Sequence, residues 1–286
     1  MIQLLWNSLV SGAIIALPAI AFTLLFGILR FPNFAVGAFV TVGAYGAWVA
    51  NVAWGWPLVA AASFAAIATA GGALAADRVV FRPLRRRQAV TLLVVSIALA
   101  LIVENLVRLA AGSDIRGFDV PLTRPMRLGD LRVTHDQLAI VATAMAACLA
   151  VHLGLTYTRL GKALWAVADN PTLASVRGIA VEGVTTAAVL TAGALLGLAG
   201  VLAGLELVIE PLVGWYLTIP VFAAAILGGI GSPVGAMVGA FLVGLAEEAT
   251  AVDFDPAYKI GVGFIIIAVL LLVRPQGLFG RPEIKK

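Results

Sequence analysis

Charge is what this chain has least of. Only 12% of its 286 residues are Asp, Glu, Lys or Arg, against 62% hydrophobic residues. A water-soluble domain carries about a quarter charged residues, so that class is excluded. Cysteine occurs once, as Cys148 inside an apolar run, so no disulfide framework exists. The two histidines, His135 and His152, have no metal-ligand spacing between them. No Gly-x-x-x-x-Gly-Lys-Ser/Thr loop occurs, so the chain cannot cradle nucleotide phosphates in that way. His-Glu-x-x-His and Gly-x-Ser-x-Gly are also missing, which argues against an intramembrane hydrolase. No basic face interleaved with aromatics suggests nucleic-acid binding. The first 29 residues contain no Lys or Arg, so the basic region of a cleavable signal peptide is lacking. No cofactor and no metal is expected.

What the chain does have is long apolar runs. A membrane helix needs about 20 apolar residues. Candidates are Leu4–Phe26, Ala35–Val52, Pro57–Ala76, Ala89–Ala111, Gln137–Tyr157, Val184–Leu205, Leu212–Ile230, Pro233–Ala246 and Tyr258–Val273. The pair flanking Gly231 could instead be broken or re-entrant. The expectation is an all-α, polytopic helical membrane bundle of about 8–10 spans, in one transmembrane domain over residues 1–286.

The scarce charges are sorted. Arg78, Arg82, Arg85, Arg86 and Arg87 form one cluster, Arg159, Lys162 and Arg177 a second, and Arg274, Arg281, Lys285 and Lys286 a third. Intervening loops hold Glu206, Glu210, Glu247, Glu248, Asp253 and Asp255. Lys and Arg are retained on the cytoplasmic side during insertion. The alternation therefore predicts an N-terminus outside and a cytoplasmic C-terminus, with nine crossings favoured. Gly112–Asp136 is then the longest exterior loop. Within it Leu128-Gly-Asp-Leu131 resembles a turn between short strands. Thr134 and Gln137 have the spacing of a capping box for the next helix.

The interior basic loop 158–183 is the most specific segment. Leu160, Ala163, Leu164 and Val167 recur at helical spacing. Asn170 can cap a second helix, Pro171 suits its first position, and Gly178 can end it. Two short surface helices follow. They could lie in lipid headgroups or dock into a groove on a cytoplasmic partner. Lys162, Leu173, Val176 and Arg177 would be the contacting side chains.

Gly193, Gly197, Gly200 and Gly204 step by four, three and four, which puts them on one helix face. Small residues let helices approach closely in lipid. The face could serve packing within the chain, a subunit interface or a pathway wall. Gly228, Gly229 and Gly231 would break a helix and bare backbone groups, tolerable at depth only if buried or facing a cavity. Glu104 and Arg108, four apart, could form an interfacial ion pair or contribute to a relay. Asn33 and Asn105 are neutral candidates for lining a path or capping a broken helix. Pro32 before Gly37-Ala38-Phe39 is echoed by Pro233 before Gly239-Ala240-Phe241, the kind of trace an internal repeat leaves in a transporter.

Five segments in family order carry a resemblance. Phe31-Pro-Asn-Phe-Ala-Val-Gly37 is similar to the turn after the first helix of branched-chain amino acid permeases of bacterial ABC importers, in particular the LivH-type subunit. Asp77–Arg85 resembles that family's basic first cytoplasmic loop, and Thr158–Gly183 its coupling loop. Ala225–Ala236 resembles its glycine-rich segment, and Arg274–Gly280 its C-terminal ending. Trp165 departs from the pattern, which usually has a basic residue there. The resemblance implies a permease subunit that pairs with a second, LivM-like permease. Two cytoplasmic ATP-binding subunits and a periplasmic substrate-binding protein would complete the complex in the bacterial inner membrane. Transport would be of branched-chain or other hydrophobic amino acids by alternating access. Related permeases serve urea, amides and aromatic acids. The competing class is an ion-coupled secondary transporter or channel, for which Glu104 is the acidic candidate.

Overall fold

A computed structural model describes residues 1–85, 87–121, 125–128, 131–253, 258–274 and 276–279. Arg86, the Gly129–Asp130 turn, Asp255, Arg281, Lys285 and Lys286 lie outside the described residues. The helices, in order, are α1 Ile2–Leu29, α2 Ala35–Trp48, α3 Leu58–Ala76, α4 Arg82–Leu84, α5 Ala89–Ala111 and α6 His135–Tyr157. Then come α7 Arg159–Asp169, α8 Pro171–Val176, α9 Val181–Glu206, α10 Val213–Gly228, α11 Pro233–Asp253 and α12 Lys259–Val273. A wide π turn, Val49–Ala53, extends α2, and a second, Asp77–Phe81, joins α3 to α4. Strands β1 Met126–Leu128 and β2 Leu131–Val133 pair antiparallel, with Met126 opposite Val133.

Among the described residues, seven helices are long and apolar enough to cross a membrane. Two shorter apolar helices, Val213–Gly228 and Gly261–Val273, complete the bundle. The two ends of the bundle are defined by side-chain contacts. At one end, which we call the hairpin end, Gln3 donates to the Arg132 carbonyl and Trp6 donates to Gln137, while Gln137 donates to Glu206. At the other, the basic end, Arg30 meets α7, and Arg82 pairs with Glu182 at the start of α9. α1, α3, α6, α10 and α12 run toward the basic end, and α2, α5, α9 and α11 run back.

The core sits around α1 and α9. Val10, Ile15, Leu17, Ile20, Val36, Val40, Leu196 and Val221 are among its fully buried side chains. In lipid no hydrophobic force drives helices together, so close packing of small residues must do it. Gly12 of α1 lies against Ala240 and Phe241 of α11. α9 is wedged between α3 and α2: Gly193 faces Ala70 and Ala73, Gly197 faces Ala65 and Gly43, and Gly200 faces Val40–Ala44. Gly204 meets Phe118 and Ile209. The glycine face thus points into the chain's own bundle at all four positions.

The break near Gly231 is a short turn that joins α10 to α11. Gly229 and Gly231 take φ of 98° and 91°, values glycine adopts without a steric penalty, and α10 and α11 then pack closely through Gly228 and Gly235. The chain folds inward elsewhere. The stretch Glu206–Pro211, expected to be an exterior loop, turns back into the bundle beyond Glu206 and buries Ile209 and Pro211. Arg116 and Ile209 exchange two backbone hydrogen bonds, of 2.9 and 3.0 Å. The Gly214 N–H at the start of α10 donates 3.1 Å to Thr41 Oγ1 of α2. Irregular backbone at such depth is tolerable because protein groups satisfy it.

Candidate functional site

The basic end gathers the residues singled out in loop 158–183. α7 is strongly amphipathic, with Leu164 and Val167 buried toward α1 and α9. Thr158 caps it by accepting from the Gly161 N–H at 3.0 Å. Asn170 Oδ1 caps α8, accepting from the Leu173 N–H at 3.0 Å, and Pro171 occupies its first turn. Gly178, at φ 82°, ends the unit. Each cap satisfies an amide otherwise left open at a helix start, so α7–α8 is a stiff corner. Ala174 is buried under it, while Leu173 is 56% and Val176 78% exposed. Lys162 and Arg177 are exposed on the same unit.

Between α7 and the α10–α11 turn lies an open cavity of about 700 Å³. Phe26, Arg30, Trp165 and Asp169 line one side, and Ile230, Gly231, Ser232 and Phe279 the other. Of the glycines expected at a break, Gly231 reaches this cavity, whereas Gly228 packs against α11. The Leu278 and Phe279 amides donate to the carbonyls of Leu227 and Gly228, at 2.8 and 3.0 Å. This ties Leu278 and Phe279 to the end of α10 and places Gly229 beneath Gly277.

Other candidates are not brought to the cavity. Asn33 is buried, its Oδ1 accepting from the Ala35 N–H at 3.0 Å and so holding the turn that leads into α2. Glu104 is 13% exposed and pairs with Arg108 at 3.0 Å. Asn105 faces outward, and its amide donates to the Leu101 carbonyl of its own helix.

Two residues with clear roles in the geometry were not singled out from sequence. Ser96 Oγ accepts from the Phe34 N–H at 3.0 Å and donates to the Leu93 carbonyl. Arg30 donates to the carbonyls of Ala168 and Asp169 at 2.6 and 3.0 Å. Arg30 had a signal: it is the only Lys or Arg before Arg78.

Residues 4–273 match the model of the family described as branched-chain amino acid transport system / permease component. The chain belongs to this family. The high-affinity branched-chain amino acid transport system permease protein LivH of Escherichia coli K12 is 32% identical over 299 residues, covering 100% of this chain and 97% of that protein. BraD of Pseudomonas aeruginosa, a permease protein of the same description, is also 32% identical with the same coverage. The probable permease LivH of Methanocaldococcus jannaschii is 27% identical over 97% of this chain and 92% of its own length. Among solved structures, PsaBC from Streptococcus pneumoniae in complex with Fab aligns with a TM-score of 0.50 at 13% identity. That alignment covers 94% of this chain and 91% of the other, and shows shared fold alone.

Proposed function

We propose that this permease is the membrane subunit of an ATP-binding-cassette importer that brings branched-chain or other hydrophobic amino acids into the cytoplasm. The observation that carries the reading is the α7–α8 unit. It is capped at both helix starts, anchored beneath, and presents Leu173 and Val176 outward at the basic end. A rigid element with exposed apolar side chains suits a groove on a partner protein. ATP hydrolysis belongs to two separate cytoplasmic subunits docked there. A second, LivM-like permease and a periplasmic binding protein complete the assembly in the bacterial inner membrane.

In this mechanism the ATPases close and move α7–α8, and the helices reopen toward the other side. ATP drives the change only by binding the two conformations with different affinity. Few charges face the interior, which suits a zwitterionic or neutral solute. Urea, amides and aromatic acids are the competing substrates. Uptake of labelled leucine by vesicles carrying the whole complex tests the choice. Leucine uptake that depends on ATP and on the binding protein supports it. Uptake of urea or an aromatic acid in place of leucine overturns the substrate assignment.

The basic end is taken as cytoplasmic, with the N-terminus outside and the C-terminus inside. Cysteines introduced at Gln88 and Ser175 should then be labelled from the cytoplasm, and one at Ser113 from outside. Labelling of Ser113→Cys from the cytoplasmic side reverses the orientation.

Glu104 serves here as an anchor paired with Arg108. The Glu104→Gln variant is expected to keep at least about half of wild-type uptake with an unaltered pH profile, because an anchor for Arg108 carries no transported ion and Gln can still accept from it. Complete loss of uptake in a fully assembled complex would instead favour ion-coupled transport through this carboxylate.

A further inference from the structure

We propose that Arg30 is the latch that passes movement of α7 to the membrane-spanning helices, acting through the corner Arg30–Phe34 between α1 and α2. The inference rests on the reading of α7–α8 as the seat of the ATPases. It adds a positioning residue for which the coupling loop itself gives no clue.

The first observation is conformational. Arg30 caps α1 with φ 56° and ψ 33°, the one non-glycine residue at positive φ among the described residues. Glycine is the usual occupant of that position, because a Cβ is strained there. An arginine placed against its own backbone preference implies a task for the side chain.

The second observation identifies the task. One guanidinium nitrogen, Nη2, donates to both Ala168 O and Asp169 O, the last carbonyls of α7. Carbonyls in a helix's final turn lack partners within the helix and carry the negative end of its dipole. A cation is the fitting clamp. Asn170, the next residue, caps α8, so the clamp grips the joint between the two short helices.

The third observation is where the corner leads. Phe31 stacks on Phe81 beside α4, with ring centroids 5.5 Å apart. The Phe34 amide is held by Ser96 of α5. The Phe34 ring meets Phe222 of α10 edge-on at 4.6 Å, and Phe222 lies 4.6 Å from Phe22 of α1. Phe22 adjoins Phe26, which lines the 700 Å³ cavity. A pull on Arg30 therefore reaches α5 and α10 within four residues, and loosens the aromatic packing inward of the cavity. A plain cytoplasmic charge at a helix end would account for the arginine's sign. It would account for neither the left-handed backbone nor the paired bonds to α7.

The test uses the complete transporter in vesicles, with Arg30→Gly and Arg30→Lys beside wild type. Glycine fits the left-handed backbone and removes the side chain with its guanidinium, while Arg30→Lys keeps an aliphatic chain and a cation. The Arg30→Gly complex should assemble with its ATPases and melt like wild type. Its ATP hydrolysis should no longer rise with substrate-loaded binding protein, and uptake should fall by about tenfold or more. Arg30→Lys, whose ammonium can reach the same carbonyls, should restore uptake to within about threefold of wild type. Wild-type stimulation and uptake in Arg30→Gly overturn the proposal. So does a reduced yield of complex whose remaining molecules couple normally, since that marks a structural role only. A wild-type complex with no ATPase attached would sink the reading of α7–α8 itself, and the control lane alone reveals it.

Discussion

Converting Leu173 and Val176 together to aspartate is expected to strip the ATPases from a membrane bundle that still folds. Both side chains point outward, at 56% and 78% exposure, while the fold beneath is held by Ala174, Leu164 and Val167. The three-residue spacing puts them on one face of α8. Two charges forced into an apolar contact should weaken attachment by several kcal/mol, on the order of a thousandfold in affinity. Uptake should fall with it, and substrate should cease to stimulate ATP hydrolysis. Co-purification and ATPase assays in vesicles report both. Recovery of ATPases at wild-type level would move the docking surface to another part of the basic end, most directly the stretch from Arg82 to Arg85.

The second large effect is expected inside the bundle. A Cβ at Gly197 would lie 2.6 Å from Ala65 O and 2.8 Å from Ala66 Cα. One at Gly200 would lie 2.9 Å from the Gly43 carbonyl carbon. These are backbone atoms and cannot swing aside. Nor can α9 retreat, because α2 and α3 hold it from two sides. Leucine at either position should cost about 3 kcal/mol, the upper part of the overpacking range. That is a large share of the 5–15 kcal/mol of stability typical of a folded protein, so yield and melting temperature should drop together. Gly71 is the control: it is exposed, and a Cβ there meets nothing within 4 Å. Gly71→Leu should leave yield unchanged. Normal assembly and uptake in both Gly197→Leu and Gly200→Leu would refute the packing shown by this structure.

The features legible in the sequence were those set by local chemistry. The Thr134–Gln137 capping box forms with both of its hydrogen bonds, and the Asn170 cap and Gly178 stop stand where their spacing put them. Each is decided within four residues of chain. The glycine steps of α9 were legible as a face, but the α2 and α3 backbones that fill it come from residues more than 120 positions earlier. Thr41, which caps α10 from 173 residues away, left no trace in the sequence around Gly214. Arg30 was passed over because a left-handed backbone is invisible in a residue that usually avoids it. The inward turn at Ile209 left only a mixed signal, since its apolar neighbours Leu207 and Val208 stay exposed. Asn105 is exposed on α5, and its amide donates to its own helix.

The central place of α1 also bears on the order in which the protein can be made. α1 leaves the ribosome well before α11, yet α11, more than 220 residues later, is the partner that covers its Gly12 face, and Ser11 finds its bond to Glu248 only then. During synthesis that side of α1 must face lipid. Its apolar stretch, with mean hydropathy 2.4 over 18 residues, lets it wait there without a partner. The bundle therefore closes late, when the two ends of the chain meet. A chain stopped before Pro233 would leave its most central helix stranded at the edge of the assembly.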